Sequence, residues 1–205
     1  MRFTLFTILA ILPGILAIPI KLANRDALSD NIASSVSTTN ELGTELQSII
    51  NRIKSDPLLV GEEYEDNSET TKYNILDGIE SAFKIAIDST ESLPSNLITS
   101  TNPTSELLSD YGPLIKALTN SIFYSLIDLK LLSQDTIGQE IPGFKDWTNA
   151  SDQQTYEFVK SLNVKYQGLI NDLANTVGED TTLGKGLKSL GGQTFYLLFD
   201  HIYPS

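Results

Sequence analysis

The chain has 205 residues, no cysteine, one histidine and a formal net charge of −12. Lacking cysteine, it has no disulfide, thiolate zinc site or cysteine nucleophile, and the lone His201 rules out multi-histidine metal centres. The acidic balance repels phosphate backbones and anionic headgroups, which disfavours nucleic-acid binding.

Residues 1–17 read as a secretory signal peptide, with one positive charge at Arg2, an apolar run to Leu16 and small residues around Ala17. The rival is a transmembrane anchor, since Phe3 to Ile20 is uncharged over 18 residues. Pro13-Gly14 interrupts that run and Ile15-x-Ala17 offers a cleavage context, so removal is the expectation. Residues 18–205 then form one secreted domain, held together by core packing without disulfides.

From Ala27 to Lys54, Leu28, Ile32, Val36, Leu42, Leu46, Ile49, Ile50 and Ile53 recur at threes and fours with one six-residue gap, which predicts an amphipathic helix. The opposite face is Ser, Thr, Asn and Glu, and Asp56-Pro57 ends the helix. An acidic loop, 58–67, leads to a second helix over 68–91. Its stripe is Tyr73, Leu76, Ile79, Phe83 and Ala86, broadened by Ile75, Ile85 and Ile87, and Pro94 closes it. After an irregular connection the richest apolar pattern runs from Glu106 to Ser133, with Gly112-Pro113 expected to kink this helix or mark its true start.

Residues 134–151 read as an apolar connection carrying Phe144 and the sole tryptophan, Trp147. Asp152 is the expected N-cap of the next helix, whose stripe Tyr156, Val159, Leu162, Tyr166, Leu169, Ile170, Leu173 and Val177 runs unbroken to Gly178. A short helix over 183–190 and an aromatic segment over 193–203 follow. No alternating run reaches strand length between turn signals, so the predicted class is all-α, a bundle of five to six amphipathic helices without a sheet.

Chemistry-bearing motifs are sparse. No Gly-x-Ser-x-Gly occurs to pair with His201, and the glycine-rich stretch 178–186 has the wrong spacing for a phosphate loop and carries Glu179-Asp180. No catalytic residue, metal ligand or cofactor is assigned. Asn149-Ala150-Ser151 is a glycosylation sequon, expected in an exposed loop before a helix start, and the C-terminus has no lipid-anchor signal.

The excess of apolar and aromatic side chains on the third helix, the tryptophan connection and the last segment points to a ligand cavity lined by Leu118, Ile122, Leu126, Phe144, Trp147, Phe195 and Phe199. The competing reading is that the same residues are solid core.

The signal peptide, the absence of cysteine, the acidic Ser/Thr-rich helices and the opening Asn24-Arg-Asp-Ala-Leu-Ser-Asp-Asn-Ile-Ala-Ser-Ser-Val-Ser-Thr-Thr-Asn-Glu-Leu resemble fungal hydrophobic-surface-binding proteins and cell-wall mannoproteins. The resemblance covers mainly the first helix and the general layout, and it brings no catalytic motif. It implies a helical bundle that adsorbs to hydrophobic surfaces or sequesters fatty acids.

The expected function is therefore that of a secreted, extracellular or cell-wall-associated, non-enzymatic protein binding a fatty acid, a sterol or a hydrophobic surface. The alternative is a secreted protein-recognition module with a filled core and an exposed aromatic patch around Trp147. An enzyme would instead show converging polar groups of perturbed ionisation in a cleft.

Overall fold

The computed structural model describes residues 12–55, 78–95, 97, 105–135 and 144–200. Helix α1 spans Leu12–Ser55 and α2 covers residues 78–91. Helix α3 is Ser105–Ala117, which passes through a π-helical segment at Leu118–Phe123 into α4, Tyr124–Gln134. Then come α5 (Phe144–Lys165), α6 (Leu169–Val177), α7 (Thr182–Leu190) and α8 (Gln193–Phe199). The described residues form an all-α bundle without a sheet, as the periodicity predicts.

Helix α1 begins 15 residues before its expected start at Ala27, running through Ala17 and Ile18 without a break, and it stops at Ser55 before Pro57. Pro13 falls in its first turn, where a missing N–H leaves no internal bond unmade. Ile32, Leu42, Leu46, Ile49, Ile50 and Ile53 are buried, and each such side chain contributes about 1.5–3 kcal/mol when fully buried.

Two hydroxyls assigned above to the solvent face lie in the core, Thr39 inside the six-residue gap of that stripe and Ser35 just before it, since both are buried. Thr39 Oγ1 donates to the Ser35 carbonyl at 2.7 Å, and Ser35 Oγ donates to the Asn31 carbonyl at 3.0 Å. Back-bonding of this kind lets a hydroxyl enter a core with its donor satisfied. Helix α5 repeats the device at Thr148, Ser151 and Thr155, each donating to a carbonyl one turn earlier.

On α2, Ile79, Phe83 and Ala86 are buried as expected, whereas Ile85 is 67% exposed. Tyr73, Ile75 and Leu76 lie outside the described residues. Pro113 neither starts nor ends α3; the helix continues through it, and the six-residue π segment begins five residues later. A π turn displaces the regular hydrogen-bond register. Thr119 Oγ1 donates to the carbonyls of Ile115 and Lys116, and Ser125 Oγ to that of Ser121. Just beyond the π segment, the start of α4 is tied to α1 by Gln47 Nε2 donating to Ser125 Oγ at 2.8 Å.

Two expectations about the second half are corrected. The stripe from Tyr156 to Val177 is not one helix, because Gly168 adopts φ +98° between α5 and α6. Its buried members, Val159 to Val177, keep one apolar surface across the break, which is why the pattern reads as continuous. Asp152 is not the N-cap of its own helix, which starts eight residues earlier at Phe144. Its buried carboxylate instead accepts the backbone N–H groups of Gln193 at 2.5 Å and Thr194 at 3.2 Å, so it caps α8 from across the bundle.

Candidate functional site

All seven residues expected to line a cavity are buried in one hydrophobic core. Leu118 and Ile122 come from the π segment and Leu126 from α4. Phe144 and Trp147 form the first turn of α5 rather than a loop, their rings meeting edge to face at 5.3 Å. Phe195 and Phe199 meet on α8 with ring centroids 4.8 Å apart and the rings tilted by 42°. Trp147 is only 2% exposed, so it belongs to the core rather than to an exposed patch, and its Nε1 has no hydrogen-bond partner among the described residues.

Two open grooves among the described residues lie elsewhere. The first, of about 360 Å³, runs between α1 and α2 and is lined by Thr38, Glu41, Leu42, Glu45, Gly78, Ser81, Ala82, Ile85 and Ala86. That volume is at the lower end of the range for small-molecule sites, roughly 300–1,000 Å³. Leu42 and Ala86 form a buried floor, Ala82 is half-buried, and Ile85 stands exposed at the edge. Glu41 and Glu45, one helical turn apart on α1, form an acidic rim with Thr38 and Ser81.

The site arises because α1 and α2 meet through small residues here, with Gly78 and Ala82 where longer side chains would fill the gap. The second groove, about 440 Å³ and more open, is lined by Lys54, Asp128, Leu131, Leu132, Gln134 and Asp135. A separate void of about 10 Å³ among Ser34, Ser35, Thr38, Ser89, Thr90, Leu93, Phe158 and Leu162 is no larger than one water.

Perturbed ionisation gathers around Tyr111, Tyr166 and Asp172. Burial, reinforced by the Asp172 charge, holds the Tyr111 hydroxyl well above the usual tyrosine range, and that hydroxyl makes no hydrogen bond of ordinary geometry. Burial raises Asp172 as well, with the Tyr111 hydroxyl opposing. Burial likewise raises Tyr166, opposed by its bond to Ser35. None of the three residues lines either groove or the void.

Among the described residues no group of three or more His, Asp or Glu is placed to hold a metal ion, and no helix is long and apolar enough to cross a membrane. His201 lies outside the described residues. Asn149 is exposed on α5, not in a loop, while the hydroxyl of its sequon, Ser151, is buried and donates to the Trp147 carbonyl at 2.8 Å.

Helical spacing alone does not mark the α1–α2 groove. Its one signal was Ile85, an isoleucine off the core stripe of a helix whose buried face was already complete. Comparison with family models, curated proteins and solved structures returns no match.

Proposed function

We propose that the chain is a secreted, non-enzymatic helical protein that binds an apolar ligand of the fatty acid or sterol type, or an apolar surface, through the groove between α1 and α2. The observation that supports this reading is the apolar floor of Leu42, Ala82 and Ala86 together with the solvent-exposed Ile85. Covering that surface removes apolar area from water, at about 25 cal/mol per Å². The seven core residues would act as the scaffold that fixes α1, with the ligand on the outside of the bundle.

Native mass spectrometry of the secreted protein, followed by organic extraction, tests the reading. A lipid at defined stoichiometry, lost in the I85E variant, is the expected result. A clean apo mass with no uptake of added fatty acid or sterol overturns it.

A second reading, recognition of another protein, is favoured by the groove beside Leu131. There a 58% exposed leucine sits among Lys54, Asp128, Gln134 and Asp135, a mixed lining suited to a polypeptide segment.

A further inference from the structure

We propose that the α1–α2 groove selects its apolar ligand by head-group charge, taking a single-chain amphiphile with a cationic amine head in preference to a fatty-acid anion. The inference rests on the apolar-ligand reading and adds the ligand's polar end.

Glu41 and Glu45 are both exposed, and they flank Leu42, which belongs to the buried floor. A ligand whose chain lies on Leu42, Ala82 and Ala86 therefore brings its head to one carboxylate or the other. Among the described residues the lining contains no cation. The nearest lysine in sequence on α2, Lys84, is paired with Asp88 at 3.1 Å.

A recess lined by charges of one sign concentrates counter-ions and disfavours like charges. A carboxylate head would also lose hydration beside two others without gaining a donor of opposite charge. An ammonium head gains the acceptors of the carboxylate it reaches while the second lies one helical turn away, and the hydroxyls of Thr38 and Ser81 add further ones. These carboxylates are solvated, so each contributes modestly and selection comes from the pair.

The test is calorimetric titration of the full chain at pH 7 with dodecylamine, dodecanol and dodecanoate, each below its aggregation concentration. The expected result is that dodecylamine binds about fivefold or more tightly than dodecanol, with dodecanoate weakest. The E41Q/E45Q double variant should bring the amine down to the alcohol and leave the alcohol unchanged. An E157Q/D180N variant, which removes two exposed charges away from the groove, should keep the order.

If E157Q/D180N weakens the amine as much as E41Q/E45Q does, the preference belongs to net charge and the proposal fails. Equal binding of all three compounds overturns head-group selection while leaving the apolar-ligand reading intact. Binding of none overturns both.

Discussion

Tyr166 and Ser35, 131 residues apart in sequence, share a buried hydroxyl–hydroxyl hydrogen bond of 2.7 Å. The Tyr166 hydroxyl also donates to the Asn31 carbonyl at 3.2 Å. The contact fastens the break between α5 and α6 to the middle of α1, so the junction at Gly168 has a fixed place against the longest helix.

Replacing Tyr166 with Phe should therefore cost about 1–2 kcal/mol, because it removes both the bond to Ser35 and the one to the Asn31 carbonyl. Ser35 Oγ keeps its bond to the Asn31 carbonyl, so the loss stays at that level rather than growing to that of an orphaned donor. Urea unfolding of Y166F, S35A and the double variant measures it, and the two losses should be less than additive because they report one contact.

Asp152 makes a second long-range tie. Its carboxylate takes both leading N–H groups of α8, and a side chain at Gly192, the residue before that helix, would collide with it. D152A removes the acceptor of two backbone donors, and a loss of about 2–3 kcal/mol is expected. Native-state hydrogen exchange should show protection lost first over residues 193–199. G192A should weaken the same segment by crowding rather than by loss of a bond.

The seven core residues and the groove residues should separate in mutagenesis. L118A leaves a void in the buried core and should lower stability by about 2–5 kcal/mol. I85E changes an exposed position and should stay within about 0.5 kcal/mol of the parent while abolishing uptake of apolar ligand. Thermal melts and ligand titration of both variants make the comparison. Loss of binding in L118A at a temperature where it remains folded would instead return the site to the core.

Burial raises both Tyr111 and Tyr166 from the ordinary value of 10.0. A tyrosine is neutral when protonated, so the folded chain holds these protons more tightly than the unfolded one. Their contribution is intact below about pH 10 and is lost as pH rises above it. Alkaline unfolding should begin there, and Y111F should move its midpoint upward.

Asp172, also raised by burial, has the same sign at acid pH: its ionisation opposes folding once pH has risen past the unfolded carboxyl value. D172N should remove that opposition and raise stability at pH 7 relative to the parent, with the two curves converging near pH 3.

What the sequence determined by itself is the helical class and most of its core. Helical spacing is a local property, and a stripe such as Leu46, Ile50 and Ile53 has one way to leave water. It also marked the stop before Pro57, the short helix between Gly178 and Gly191, and the buried members of the third helix from Tyr111 to Leu132.

Tertiary structure decided the rest, because each remaining feature depends on what faces a residue across the bundle. Ser35 and Thr39 look solvent-facing by composition but are buried, Ser35 against the Tyr166 hydroxyl. Asp152 has the composition of a cap at its own helix start and is used at another. Gly168 breaks a stripe whose apolar face continues on both sides of the break. Phe144 and Trp147, apolar residues that read as part of a connection, begin a helix and join the buried core. The groove lies where Gly78 and Ala82 of α2 and Leu42 of α1 share one lining, and no spacing within either helix records that α1 and α2 lie side by side.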